Sequence, residues 1–203
     1  MSEIITRQTS IIPACDVPLQ VYLDIVQATK DTPEVSGYKI GFQLGLGEGL
    51  SRVVGLTRNF TDKPVIYDHQ KAGNDIHDTG KNFATTMVEG GIDNVILFPF
   101  TGPVTARAWI DAAKGEGLNV IIGGRMTHDG FARSDGGFIA DEAVQEIYDI
   151  ALEKGVTDFV MPGNQPEFVA NQLASFQARG IDPTFYAPGF VDQGGSISET
   201  AKV

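Results

Sequence analysis

The sequence contains little cysteine, little positive charge and no long apolar run. Cys15 is the single cysteine among 203 residues, which excludes an internal disulfide bond and is typical of a reducing, cytoplasmic compartment. We interpret Cys15 as a small core residue. The net charge of −11 argues against a nucleic-acid partner, which would require a basic patch. A small anionic ligand remains acceptable, because a pocket can be locally positive on an acidic protein.

Membrane insertion and secretion are not expected from the sequence. None of its apolar runs has the length that a bilayer-spanning helix requires, and the first ten residues, MSEIITRQTS, lack the charged and then apolar build of a signal peptide. The 42% hydrophobic and 20% charged residues are typical of a globular protein. We therefore expect no membrane partner and one domain that covers residues 1–203.

Apolar runs alternate with amphipathic segments along the whole chain. Continuous apolar runs predict strands that are buried on both faces, as in parallel sheets, and apolar residues at helical spacing predict the helices between them. The predicted strands are residues 10–15, 38–42, 65–67, 94–98, 119–122, 158–161 and 184–186. The predicted helices are residues 19–28, 49–56, 79–89, 104–113, 141–153 and 166–178. This alternation predicts the α/β class.

Two architectures fit this alternation: an open doubly wound sheet and a (β/α)8 TIM barrel. The even spacing and the absence of a glycine fingerprint after the first strand favour the barrel. Glycines are instead concentrated in residues 45–49, GLGEG, after the second strand. We interpret that segment as a flexible turn and not as a phosphate-binding loop.

Charged and polar residues follow several predicted strands. The carboxyl ends of the strands form the active site of a barrel, and the residues found there are Asp16, Lys39, Asp68, Lys71, Thr127 and the pair Pro188-Gly189. A lysine within a strand is costly unless it is paired, and Asp68 and Asp75 are the candidate partners of Lys39. The alternative is a salt-bridged loop without chemistry, in which Asp75 is the N-cap of a helix that starts near Ile76.

Six motifs together resemble the orotidine 5'-monophosphate decarboxylase family over nearly the whole chain. The resemblance is specific in combination, whereas each motif alone would be weak. The motifs are IIPACDV at 11–17, YKIG at 38–41, DHQKAGNDI at 68–76 followed by Thr79, RMTH at 125–128, MPGNQPE at 161–167 and APGFVDQGG at 187–195.

This resemblance implies a reaction: decarboxylation of orotidine 5'-monophosphate to UMP through a carbanion at C6, with no cofactor or metal. It implies that Lys39, Asp68, Lys71 and Asp75 form an alternating array of charges, and that Lys71 protonates C6. The implied substrate-binding residues are Asp16 for the ribose, Thr127 for the pyrimidine, Gln193 with Gly194, Gly195 and the neighbouring Pro188 for the phosphate, and Ile76 and Thr79. The resemblance also implies a homodimer in which Asp75, Ile76 and Thr79 reach the neighbouring subunit's site.

Two departures from the family pattern are visible. The family spacing is aspartate-x-lysine-x-x-aspartate, whereas Asp68, Lys71 and Asp75 have one extra residue in each gap, which a local bulge would absorb. The family's eighth strand, with its Gly-Arg pair for the phosphate, and the final helix are absent before Val203. We therefore expect a C-terminally truncated barrel that lacks about 20–30 residues, one strand plus one helix.

Two other functions stay open at this point. A magnesium-dependent sugar-phosphate decarboxylase or aldol-type synthase on the same barrel uses a similar aspartate-lysine-aspartate motif, although Thr79, Thr127 and Gln193 lean against it. A non-catalytic nucleotide-binding barrel is compatible with the shifted spacing. The histidines are too scattered in the sequence to indicate a metal site, since they occupy positions 69, 77 and 128.

Overall fold

A computed structural model describes residues 9–69, 71–190 and Ser196. Its strands form one parallel sheet in strict chain order, from β1 to β7. They are β1 Ala14–Cys15, β2 Tyr38–Gly41, β3 Val65–Asp68, β4 Asn94–Leu97, β5 Asn119–Gly123, β6 Asp158–Val160 and β7 Thr184–Tyr186. A doubly wound sheet would reverse its strand order at a switch point, so the sequential order confirms the predicted (β/α) barrel architecture.

Helices connect successive strands, as parallel pairing requires. They are α1 Leu19–Thr29, α2 Phe42–Leu44, α3 Leu50–Arg58, α4 Thr79–Glu89, α5 Pro103–Gly115, α6 Ala143–Glu153 and α7 Pro166–Ala178. The predicted flexible turn at residues 45–49 is wrong, because Gly45–Gly49 forms a π-helical turn between α2 and α3. Its first glycine lies against the Tyr67 ring, which a Cβ would approach to 2.9 Å, so the missing side chain lets this turn pack on the sheet.

The apolar core has two layers, separated by the sheet. The outer layer packs the sheet against the helices and contains Cys15, which is fully buried as a packing residue would be. The inner layer fills the barrel and consists of Ile66, Ile96, Phe98, Ile121 and Val160. Successive residues of a strand point to opposite faces, which is why Ile66 enters the inner layer while Tyr67 enters the outer one.

An ionic clamp, made by Arg58 and Asp93, holds the amino-terminal ends of the strands. Arg58 Nη2 lies 2.7 Å from Asp93 Oδ2, and the same carboxylate oxygen accepts a hydrogen bond from the Val65 backbone N–H at 2.8 Å. Arg58 Nη1 also donates to the Lys63 carbonyl at 2.8 Å. The Arg58–Asp93 clamp therefore ties the end of α3 to the entry of β3 and β4.

The helices in the described ranges are all too short or too polar to cross a bilayer.

Candidate active site

Lys39 lies between two carboxylates at the carboxyl ends of the first three strands. Its Nζ atom is 3.0 Å from Asp68 Oδ2 and 3.6 Å from Asp16 Oδ2. The strands bring these groups together, since Lys39 pairs with Ala14 of β1, and Asp68 pairs with Gly41 of β2. The Lys39 and Asp68 side chains are only 18% and 11% exposed, so each charge has an opposite charge in contact where water is scarce.

Asp16 has the most exposed side chain of these three residues. Its side chain is 40% exposed, so its carboxylate can accept hydrogen bonds from a ligand. The carboxylate lies directly over Gly41, where an added Cβ would overlap its Oδ1 atom. The glycine at the end of β2 therefore leaves the space in which Asp16 approaches Lys39.

Lys71 has a different environment on the loop after β3. Its Nζ atom lies 4.3 Å from the centroid of the Phe98 ring, and it makes no ion pair with any carboxylate of the described residues. Burial lowers the pKa of Lys71 below the ordinary value for lysine. The negative charge of Asp68 opposes this shift, the positive charge of Lys39 adds to it, and Asp16 opposes it weakly.

The loop that carries Lys71 has an unusual backbone. Lys71 has φ 87° and is the only non-glycine residue with positive φ in the part of the chain that the structure describes. Gly73, two residues later, also has positive φ, at 96°. A lysine in this region is strained, and the extra residues around Lys71 are accommodated by this local turn while its ammonium still lies over a ring of the inner layer.

Asp75 does not join the other charges within one chain. It is exposed on the loop before α4, its Oδ1 atom accepts a hydrogen bond from the Ile76 N–H at 2.7 Å, and it pairs with neither described lysine of the site. Of the two candidate partners of Lys39, the structure brings Asp68 into contact and leaves Asp75 outside. Asp75 is not a helix N-cap either, because α4 begins at Thr79, after Asp78.

Ile76 and Thr79 lie on the same exposed loop as Asp75. Ile76 is 58% exposed, and its carbonyl accepts hydrogen bonds from the Thr79 hydroxyl at 2.8 Å and from Trp109 Nε1 at 3.1 Å. These bonds fix the backbone of the loop while the Ile76 side chain projects from the surface. The predicted binding residues Ile76 and Thr79 are thus near neighbours on one surface of the molecule.

Thr127 is positioned by amide side chains from the neighbouring loop. Asn164 Nδ2 donates to the Thr127 carbonyl at 2.9 Å, and Gln165 Nε2 donates to the Met126 carbonyl at 3.0 Å. Arg125 Nε donates in turn to Gln165 Oε1 at 3.1 Å. Sequence reasoning missed this role of Asn164 and Gln165, although both belong to the MPGNQPE motif that it singled out.

The predicted phosphate-binding segment is described only at its start. Pro188 follows β7, and its carbonyl accepts a hydrogen bond from the Gly163 N–H at 2.8 Å. Gln193, Gly194 and Gly195 lie outside the described residues. The structure therefore places Pro188 next to the loop after β6.

Sequence reasoning also missed Phe98, which it treated as the last residue of a strand. The side chain is 3% exposed and lies in the inner layer under Lys71. The signal in the sequence was the Phe-Pro-Phe segment at 98–100, an apolar strand end where the other ends carry polar groups.

Within the described ranges, no three His, Cys, Asp or Glu side chains are grouped so that they could hold a metal ion. The two lysines and two aspartates at the strand ends are the charges that can act on a ligand there. Together with the fold, they define a barrel protein with a charged site at the carboxyl ends of its strands.

Comparison with known proteins shows which family of barrel proteins the chain is similar to. No family model matches the chain. Orotidine 5'-phosphate decarboxylase of Methanosarcina mazei is 30% identical over 194 residues, which cover 95% of this chain and 81% of the relative. The enzyme of that name from Thermococcus kodakarensis is 29% identical over 89% of this chain and 76% of its own length.

Solved structures agree on the fold. The crystal structure of orotidine 5'-monophosphate decarboxylase from Methanocaldococcus jannaschii, complexed with the inhibitor BMP, superposes with a TM-score of 0.80 at 24% identity. That match covers 97% of this chain and 85% of the other. Because the Methanosarcina mazei relative is similar over most of both chains, this chain belongs to the orotidine 5'-phosphate decarboxylase family.

Proposed function

We propose that this chain converts orotidine 5'-monophosphate to UMP and carbon dioxide. Family membership supports the substrate, and one observation supports the chemistry: the Lys71 ammonium is half-buried against the Phe98 ring and is not paired with a carboxylate of the described residues. A positive charge that is close to a substrate and only partly neutralised is what a developing carbanion requires.

In the proposed mechanism, the bond between C6 of the pyrimidine and its carboxylate breaks. Carbon dioxide leaves, and the electron pair stays on C6. The Lys71 ammonium stabilises this negative charge and then donates a proton to C6, which gives UMP and a neutral amine that water reprotonates. No electrons need to be passed to a cofactor, since the pair that leaves the broken bond is the pair that accepts the proton.

The Asp16–Lys39–Asp68 group has a binding and orienting role in this proposal. Asp68 lies beside the departing carboxylate, and Lys39 holds the Asp68 carboxylate in place through their contact at 3.0 Å. The more exposed Asp16 accepts hydrogen bonds from the ribose hydroxyls. Binding energy from these remote contacts holds C6 in position for the reaction.

Further contacts are assigned to the two ends of the nucleotide. Thr127, whose carbonyl Asn164 holds at 2.9 Å, contacts the pyrimidine. The segment from Pro188 to Gly195, including Gln193 and Gly194, contacts the phosphate.

We also propose a homodimer in which Asp75, Ile76 and Thr79 extend into the neighbouring subunit's site. The exposure of Asp75 and Ile76 supports this arrangement, because the carboxylate expected near the lysines lies at the surface of its own chain. The fourth charge of the alternating array would then come from the partner.

The test of the function is turnover of orotidine 5'-monophosphate, followed by absorbance with and without EDTA, together with UMP binding by calorimetry. We expect turnover that EDTA does not change, and UMP binding. Loss of turnover in EDTA would favour the magnesium-dependent sibling. Binding of UMP without turnover would favour the non-catalytic nucleotide-binding barrel and contradict the proposed reaction.

A further inference from the structure

We propose that Phe98 is a positioning residue that holds the Lys71 ammonium at the barrel mouth before substrate binds. This inference rests on the proposed function, because the position matters only if Lys71 acts on the substrate. The geometry assigns this role to Phe98, because its ring lies next to Lys71, where the alternating array of charges led us to expect a second carboxylate, that of Asp75.

The Phe98 ring is itself held firmly in place. It is 3% exposed and packs with the inner layer of the barrel. Gly123 at the end of β5 lies directly against it, and a Cβ at that position would overlap the ring. On another side, Phe100 packs with a centroid distance of 5.6 Å. The surface that Lys71 contacts is therefore a rigid part of the barrel interior.

Phe98 also holds the loop that carries Lys71. Its backbone N–H donates to the carbonyl of Ala72, the residue after Lys71, at 2.7 Å. A lysine with φ 87° persists only where its surroundings determine the conformation. Phe98 supplies two such determinants, a main-chain hydrogen bond to the loop and a ring under the ammonium.

An aromatic ring suits the position next to the Lys71 ammonium better than a carboxylate in direct contact with it would. The face of an aromatic ring carries partial negative charge and attracts an ammonium group, but it has no net charge. Lys71 therefore keeps most of its positive charge for C6, whereas an ion pair would neutralise it. The charged groups that act on Lys71 are Asp68 from β3, Lys39 from β2 and Asp16 beyond β1. Directly after β4, the group in contact is the neutral Phe98 ring.

The test compares Phe98→Leu with the wild type in the pH dependence of kcat/KM, which reports the free enzyme. Leucine buries the ammonium but offers no ring face, so the charged form of Lys71 is less favoured. We expect the alkaline limb of the profile to move to lower pH and kcat to fall about 10- to 100-fold, with KM changed less than about threefold.

Two further variants separate this role from general packing. Phe98→Tyr keeps the ring, and we expect it to restore the wild-type alkaline limb. Gly123→Ala keeps Phe98 but displaces its ring, and we expect it to move the limb as Phe98→Leu does. The matched control is Gly115→Ala in α5, where a Cβ meets open space, and we expect an unchanged profile.

The outcomes separate the positioning role of Phe98 from the proposed function on which it rests. A wild-type chain that does not turn over orotidine 5'-monophosphate would overturn the proposed function. An active wild type, with the limb unmoved in both Phe98→Leu and Gly123→Ala, would overturn only the positioning role. Such a result would leave Phe98 as an ordinary core residue.

Discussion

The two lysines of the site are held in opposite ways. Lys39 lies within a strand and contacts two carboxylates at 3.0 and 3.6 Å, whereas Lys71 lies on a strained loop and contacts a neutral ring. A charge between two opposite charges is costly to move. A charge that burial disfavours gives up its proton more easily. In the proposed mechanism, Lys39 therefore supplies a fixed field and Lys71 the transferable proton.

The largest expected effect comes from removing the Lys71 charge. We expect Lys71→Met to lower kcat for orotidine 5'-monophosphate by about 10³-fold or more, because both electrostatic stabilisation and proton donation are lost. The melting temperature should stay unchanged or rise, since methionine fills similar space without a buried charge. Steady-state kinetics and thermal unfolding measure the two effects.

The control for this variant is Lys30→Met at the carboxyl-terminal end of α1, where Lys30 pairs only with the exposed Asp31 among the described residues. We expect it to keep wild-type kinetics, because the end of α1 lies at the opposite end of the barrel from the candidate site and a charge there is screened. If Lys71→Met kept more than about a tenth of the wild-type kcat, proton donation by Lys71 would be wrong.

A smaller effect, on stability, is expected when a carboxylate partner of Lys39 is removed. We expect Asp68→Asn to lower the free energy of unfolding by roughly 2–3 kcal/mol, because it leaves a largely buried ammonium without its nearer partner. Asp16→Asn should cost less than about 1 kcal/mol, since that carboxylate is farther away and more exposed. Urea denaturation of both variants gives the comparison, and equal losses would contradict the assignment of Asp68 as the main partner of Lys39.

The smallest expected effect concerns the space that Gly41 leaves for Asp16. We expect Gly41→Ala to raise KM roughly fivefold with little change in kcat, because a displaced Asp16 loses about one hydrogen bond to the substrate. Gly55→Ala is the matched control, since a Cβ there meets open space within α3. It should leave KM unchanged and stabilise the helix by about 0.5–1 kcal/mol. An unchanged KM in Gly41→Ala would contradict the binding role of Asp16.

Elements with a clear apolar period were predictable from the sequence alone. The predicted bounds of Thr79–Glu89, Pro166–Ala178 and Thr184–Tyr186 agree with the structure. The first strand was predicted over residues 10–15. The structure has a strand at Ala14–Cys15 and an isolated bridge between Ile11 and Val35, and Pro13 between them has no N–H to contribute to the ladder. The turn predicted at residues 45–49 was wrong because glycine-rich sequence does not distinguish a loop from a helical turn packed on a ring.

The same distinction applies to the candidate site, where some residue positions were predictable from the sequence and others were not. The contact between Lys39 and Asp68 was predictable, since adjacent parallel strands bring their ends to one edge of the sheet. The position of Lys71 over Phe98 was not, because it depends on a positive φ at a lysine and on a ring contributed by β4's end. Asp75 was expected beside the lysines but is exposed on the loop. Its position was not predictable, because residues 68–76 have no apolar periodicity that specifies on which side of the loop a side chain lies.

The Arg58–Asp93 clamp joins the end of α3 to the entry of β3 and β4, at the end of the barrel remote from the charges of the candidate site. Neither side chain contacts Lys39, Lys71, Asp16 or Asp68. We therefore expect substitutions that strengthen the clamp to raise the melting temperature and to leave turnover as it was.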